Sequence, residues 1–351
     1  DSLDDFLTEL PALAASVEDK LRVQDGLFLV KLSKRQVYIR LEDGAVRVER
    51  RTDEYPNCII EADEQLLMDI INGAVSPMKA LLFGIVEGVT EWLPISSTGH
   101  LILLNEFINL KMSDEFLKMF DVVIQLGAIL AVIVLFFHKL NPFSPKKDVR
   151  QKQRTWQLWA KVIVAILPSG IVGVLLDDWM EAHLHTAVVV ALMLILYGLA
   201  FIYVERKHQG HAPKIKNVYE IDYKTALLIG AFQCLSLIPG TSRSGSTILG
   251  GIIVGASRAA ASEFSFFMAI PTMVGASGIK LLKFLKSGVG ATGTEIGVLI
   301  IGCLMSFLVS LVVIRKLMNY VRKHSFSAFG IYRIALGIVV LLYFAVKALA
   351  A

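Results

Sequence analysis

Glu87 and Glu91 stand four positions apart, and Ser96, Ser97, Thr98 and His100 follow just beyond Pro94. A spacing of four puts both carboxylates on one face of a helix. Two carboxylates that close repel each other in a low dielectric unless a cation joins them, and their hard oxygens suit Mg²⁺, Ca²⁺ or Mn²⁺. The hydroxyls after Pro94 begin a second helical arm, where free backbone N–H groups favour an anion. Capping needs one hydroxyl and explains only part of the three. His100 reads as a nucleophile toward phosphorus, a general acid for the leaving group, or a satisfied structural histidine. A second polar island, Thr241-Ser242-Arg243-Ser244-Gly245, carries a guanidinium whose fork matches phosphate. Brought together, the islands make one phosphate-handling site. Glu87, Glu91, Ser97, His100 and Arg243 are its candidate catalytic residues. Ser96, Thr98, Thr241, Ser242, Ser244 and Gly245 are candidates for holding substrate, and Glu87 and Glu91 for holding a metal.

The elements that must position these groups are apolar. The chain has 351 residues, 55% of them hydrophobic and 19% charged, with a mean hydropathy of +0.61. That describes a polytopic membrane protein with a soluble part attached. Residues 1–80 carry 10 Lys and Arg against 16 Asp and Glu, and the remainder carries 25 against 15. An acidic front and a basic, apolar body indicate two units. Cys58, Cys234 and Cys303 are scattered without metal-ligand spacing and read as small buried residues. The chain opens on acidic residues without Met or a signal peptide, as expected of a chain trimmed at this end.

Spanning helices are expected over about 119–138, 156–176, 186–204, 260–284, 294–315 and 327–348, each near the ~20 residues a crossing needs. Residues 78–110 break at Pro94 and 222–254 break at Pro239-Gly240, leaving arms too short to cross upright. Each pair of arms reads as a re-entrant helix–loop–helix with its polar tip at mid-membrane, buried in protein or lining a cavity. One broken hairpin plus three spans (78–204) is followed by another set (222–348), and Gly84–Pro94 echoes Gly230–Pro239. Three crossings is odd, so the second copy enters from the opposite side, as an inverted-topology repeat. Basic residues gather in 139–161, 205–216 and 315–323, while Asp177, Asp178 and Glu181 lie between two of those segments. The basic segments are expected in the cytoplasm, which places the start of the first hairpin and the C-terminus outside.

Ahead of this body, residues 1–77 read as a small α+β module. An apolar helix over 3–17 is followed by strands at Gly26–Leu32, Gln36–Leu41 and Ala45–Arg50 in an antiparallel meander, a fourth strand at Cys58–Ala62, and a helix over 63–73. The segment resembles an SCP2-like sterol-carrier domain, cut off where a further strand and closing helix would follow. It reads as a fused soluble module whose last helix merges into the first membrane helix. Lacking part of the lipid-cavity wall, it is not expected to carry lipid, and the sequence leaves native and engineered fusion equally open.

The membrane body carries Glu87-Gly-x-Thr-Glu91-x-Leu-Pro-x-Ser-Ser-Thr-Gly-His100, then Pro239-Gly-x-Ser-Arg243-Ser-Gly, then Ala261-Ser-Glu-Phe-Ser-Phe. These motifs resemble the undecaprenyl-pyrophosphate phosphatase family of the bacitracin-resistance type, over about 78–351. The resemblance implies hydrolysis of a C55 polyprenyl pyrophosphate lipid to its monophosphate and inorganic phosphate, recycling a carrier for cell-wall synthesis. It also implies a divalent-cation cofactor, a bacterial inner-membrane location, a site open to the outer face, a homodimer, and no nucleic-acid partner. Three routes stay open: Ser97 activated by His100, His100 itself as nucleophile, or a water activated by Glu91. A polyprenyl-phosphate transporter using the same midplane site is the competing class, because inverted repeats with broken helices are also its hallmark. The acid-phosphatase-like lipid phosphatases need a second histidine five residues past the arginine. That position is Ile248 here, which sets that family aside.

Overall fold

The structure is a computed structural model that describes residues 26–32, 36–42, 45–49, 58–62 and 77–350, apart from 109, 111 and 185. The chain divides into two compact units, Asp1–Pro77 with Ala291–Val298, and Met78–Gly290 with Leu299–Ala351. In the first lies a four-stranded sheet: β1 (Gly26–Leu32), β2 (Gln36–Glu42), β3 (Ala45–Glu49) and β4 (Cys58–Ala62), in the order β3-β2-β1-β4. The first three form the expected antiparallel meander, with Phe28 opposite Ile39 and Leu41 opposite Val46. β4 lies on the other side of β1 and runs parallel to it, Phe28 opposite Cys58. The helices expected over 3–17 and 63–73 fall outside the described residues.

The second unit is helical, and two of its helices begin with residues of the first, at Pro77 and over 293–298. Its elements are α1 (Pro77–Thr90), α2 (Ser97–Phe107), α3 (Asp114–Leu135), the single turn α4 (Phe137–Leu140), α5 (Val149–Leu184), α6 (Ala187–His208), α7 (Tyr223–Leu235), α8 (Arg243–Ile253), α9 (Arg258–Lys286), α10 (Gly293–Val321) and α11 (Ser327–Ala350). Six helices are long and apolar enough to cross a membrane: α3, α5, α6, α9, α10 and α11. All six coincide with expected spans, and this is a multi-pass membrane protein. The helices overrun the expected limits. α5 has 36 residues, and it takes in the basic residues from Arg150 and the acidic Asp177, Asp178 and Glu181. Lys, Arg, Gln and Glu are good helix formers, so a helix does not end where the hydrocarbon does.

α1, α2, α7 and α8 have 14, 11, 13 and 11 residues. At ~1.5 Å per residue none reaches the ~30 Å of a hydrocarbon core. Proline sets both stopping points. Its ring clashes with the carbonyl of the fourth residue before it. α1 ends at Thr90, four residues before Pro94, and α7 ends at Leu235, four residues before Pro239. Each chain then restarts in the same way. Ser96 (φ 72°) caps α2 and Ser242 (φ 74°) caps α8, and they are the two non-glycine residues with positive φ among the described residues. The Ser96 hydroxyl accepts from Gly99 N at 3.4 Å and that of Ser242 from Gly245 N at 3.1 Å.

The short helices lie on the second span of the opposite half. A β-carbon at Gly84 on α1 would stand 2.6 Å from the Gly302 carbonyl oxygen on α10, and one at Gly230 on α7 would overlap the Ala165 carbonyl on α5. Long spans pair with their counterparts, α3 with α9 and α6 with α11. The contact at Gly230 is backbone against backbone and cannot relax by turning a side chain. Gly230→Ala should therefore cost about 1–3 kcal/mol by overpacking and lower the melting temperature in detergent. Gly275→Ala, where nothing lies within 4 Å, should leave it unchanged or raise it. Equal melting temperatures for the two variants would refute this packing.

Candidate active site

Glu87 lies three residues before the end of α1, and Glu91 follows the helix as its first turn residue. The Glu91 amide still donates to Glu87 O at 3.0 Å, so the two carboxylates keep one face. Their surroundings differ sharply. Glu91 is fully engaged. Its Oε1 accepts from Arg243 Nη2 at 3.1 Å and Nε at 3.3 Å, and its Oε2 accepts from Ser97 Oγ at 2.9 Å. Glu87 is 0% exposed, and neither of its carboxylate oxygens has a hydrogen-bond partner.

Ser97 and Arg243 are the first residues of α2 and α8, so the N-terminal ends of both broken helices meet on one carboxylate. Ser244 tightens the joint, its hydroxyl donating to Glu91 O at 2.9 Å and Leu93 O at 3.3 Å. The Ser242 hydroxyl stands 3.1 Å from that of Ser244. Arg243 Nη1 donates to the Ser265 carbonyl at 2.8 Å and reaches its hydroxyl at 3.4 Å. The guanidinium also lies over the buried Trp92 ring, 5.7 Å from its centroid, a favourable cation–π placement. Thr247 caps this network, 2.8 Å from Arg243 O and 2.7 Å from Ser265 Oγ.

The remaining expected residues divide. Thr241 is buried with its hydroxyl unpartnered, and Thr98 is half-buried. The Gly245 amide is already taken by the Ser242 cap. His100 sits beside the turn rather than on Ser97. Its Nδ1 lies 2.7 Å from the Ser96 carbonyl, which only accepts, so Nδ1 carries the proton. Nε2 then accepts from the Tyr332 hydroxyl at 2.7 Å. Ser97 has Glu91 as its partner, and His100 has Ser96 and Tyr332. Glu263 accepts from Lys139 Nζ through both oxygens at 2.8 and 2.9 Å.

Arg333 on α11 was missed by the motif reading. It is fully buried and bonds to five main-chain carbonyls. Nη1 donates to Pro94 O at 3.0 Å, Nη2 to Gly240 O at 2.8 Å, Thr241 O at 2.9 Å and Met193 O at 3.4 Å, and Nε to Leu194 O at 3.4 Å. One side chain thereby ties both turns to α6. The available signal was a lone arginine inside an otherwise apolar span, the same criterion that picked out Arg243.

No three His, Cys, Asp or Glu side chains among the described residues stand close enough to hold a metal ion by themselves. Glu87 nevertheless fits a hard cation. It is a buried carboxylate with both oxygens free, and Mg²⁺-type ions complete their shells with water and substrate phosphates.

A family model described as "Bacitracin resistance protein BacA" matches residues 80–339. The chain belongs to the BacA family. Among curated relatives, the undecaprenyl-diphosphatase of Streptococcus thermophilus is 56% identical over 283 residues, covering 81% of this chain and 98% of that protein. That of Streptococcus mutans is 58% identical over 273 residues, 78% of this chain and 97% of the relative. That of Enterococcus faecalis is 55% identical over 265 residues, 76% and 96% respectively. A second model, "SCP-2 sterol transfer family", matches residues 7–87, so the N-terminal resemblance is shared by that comparison and overlaps the start of the BacA match.

In this BacA-family chain, replacing Arg333 orphans carbonyls in both turns at about 1–3 kcal/mol for each buried group. Arg333→Met and Arg333→Lys should both lower the melting temperature, because an ammonium cannot span the two turns and α6 at once. A lysine variant with wild-type stability would show that the fork geometry is not needed.

Proposed function

We propose that the chain hydrolyses undecaprenyl pyrophosphate to undecaprenyl phosphate and inorganic phosphate, recycling the lipid carrier for cell-wall synthesis. The observation that carries this is the meeting of Ser97, Glu91 and Arg243, which puts a hydroxyl, a base and a phosphate-binding cation in one buried cluster. The activity printed for the curated relatives is the same.

Geometry favours Ser97 as nucleophile with Glu91 as its base. The carboxylate takes the Ser97 proton as Oγ attacks the terminal phosphorus. The bond from that phosphorus to the bridging oxygen breaks, and undecaprenyl phosphate leaves. Glu91 passes the Ser97 proton to the departing undecaprenyl phosphate. Water then attacks the phosphoserine as the freed carboxylate takes its proton, and that proton returns to Ser97 Oγ as the serine–phosphorus bond breaks and inorganic phosphate departs. Arg243 and the free first-turn amides of α2 and α8 stabilise the charge that develops on the phosphoryl oxygens. Glu87, with Glu91 beside it, would hold a divalent cation such as Mg²⁺, Ca²⁺ or Mn²⁺, which supplies charge neutralisation on the phosphoryl group. Ser96, Thr98, Thr241, Ser242 and Ser244 line the turns around it, and Ser96 and Ser242 act chiefly as caps.

Residues 78–351 form the catalytic domain and 1–77 a fused SCP2-like module. Two inverted repeats, 78–204 and 222–348, each place a re-entrant hairpin and three spans. The matched prolines, the paired strained serines and the crossed packing of α1 on α10 and α7 on α5 support that reading. The basic loops support a cytoplasmic face for 139–161, 205–216 and 315–323, and the resemblance implies the cytoplasmic membrane of a bacterium, a site open outward and a homodimer. Hydrolysis is favoured over transport because Arg333 binds both tips to α6, which opposes rocking one half against the other.

Phosphate release from undecaprenyl pyrophosphate by the full chain in detergent tests the function. Arg243→Ala should reduce it by about 10²–10³-fold. Chemistry through Ser97 should leave an acid-stable phosphoserine when the reaction is quenched with labelled substrate. An acid-labile adduct would move the nucleophile to His100. Full release by the Arg243 variant would sink the two-turn site.

A further inference from the structure

A cavity of 590 Å³ opens where α6 ends and α9 begins, at the basic end of the bundle. Lys207, Lys214, Arg258 and Arg322 line it, with His208 and His211 beside them, and Glu205 is the single carboxylate in its wall. That carboxylate is already used. Its Oε1 accepts from Arg258 Nε at 2.8 Å and Phe326 N at 3.0 Å, and its Oε2 from Arg258 Nη2 at 2.5 Å. Lys207, Lys214 and Arg322 are exposed and make no ion pair with any described residue. The cavity therefore carries positive charge that no described residue balances.

Basic residues at the cytoplasmic ends of membrane helices are expected in general. General bias scatters them over loops and does not gather four from three separate segments around one concavity. The lining also includes the apolar Ile252, Ile253, Val254 and Val321; Ile252 and Val321 are buried, and Ile253 is 42% exposed. Cations and apolar side chains lining one concavity at a helix end match a phosphodiester that is attached to acyl chains. Inorganic phosphate would satisfy the cations and leave the exposed Ile253 without an apolar partner.

We propose that this cavity is a second lipid site, taking the headgroup of an anionic phospholipid and separate from the Glu87–Arg243 centre. Its occupant is a structural or regulatory lipid and is not hydrolysed, since the carboxylate in the wall, Glu205, is held by Arg258 and Phe326 N, and the Ser257 hydroxyl donates to Lys216 O.

The test uses the full chain in nanodiscs of phosphatidylglycerol and phosphatidylcholine in equal parts, with retained lipids counted by native mass spectrometry. The wild-type chain should retain phosphatidylglycerol in preference to phosphatidylcholine. The triple variant Lys207→Ala, Lys214→Ala, Arg322→Ala should lose roughly tenfold or more of that preference, at about one tenfold step per one or two cations. Hydrolysis of undecaprenyl pyrophosphate by the triple variant in detergent should stay at the wild-type rate, showing that the fold is intact. An unchanged preference in the triple variant would overturn the proposal. Displacement of phosphatidylglycerol by millimolar inorganic phosphate would overturn the lipid assignment in favour of a free-phosphate site.

Discussion

Everything in the site depends on how the Glu91 carboxylate is shared. One oxygen holds Arg243 and the other holds Ser97, and each of those residues opens a helix after a broken turn. A carboxylate at 6% exposure inside an apolar body must be paired and hydrogen-bonded, or it costs several kcal/mol. Pairing it this way joins segments that are 152 positions apart in the chain. It also leaves Ser97 with its proton directed at a base and Arg243 with its charge facing the turn. The neighbouring Glu87 is left unshared, so two glutamates four residues apart stand in contrasting surroundings.

The backbone is bent to make this meeting possible. Two prolines stop two helices four residues early, and two serines take up a left-handed conformation to start the next helices. Such a conformation costs about 1–3 kcal/mol in a non-glycine residue and persists only where the surroundings enforce it. Here the enforcement is visible. Each serine hydroxyl caps its own helix, Ser244 bonds back to the main chain of the other turn, and Arg333 holds the carbonyls of both. The strain is confined to the positions that aim Ser97 and Arg243.

The six spans and the polar islands were legible because apolar length and misplaced charge are local signals. Glu87, Glu91 and Arg243 stood out as ionisable groups in an apolar run, and the structure gathers them. Partner choice was not legible. Ser97 and His100 are three residues apart in sequence and read as a pair, but the helical turn points the imidazole at Ser96 O and Tyr332 while the serine faces Glu91. Arg333 sits in an unbroken apolar helix, with no proline or serine–threonine cluster beside it to mark a turn, and its hydrogen-bond partners are main-chain atoms supplied by distant segments. The parallel pairing of β4 with β1 is likewise a long-range choice that strand alternation cannot encode. Helix ends were misjudged because hydropathy reports the membrane's edge and hydrogen bonding continues past it.

Arg333 makes its hydrogen bonds to main-chain carbonyls, with the Tyr197 ring beneath the guanidinium at 5.5 Å, and that makes those hydrogen bonds indifferent to side-chain identity. Every amino acid supplies a carbonyl, so Met193, Leu194 and Thr241 can drift in evolution without loosening the clamp, provided the chain path is kept. The arginine itself has no such freedom. An alignment of this family would then show an immovable arginine whose neighbours vary independently of it, and a search for co-varying pairs would pass over the residue that holds the two turns together.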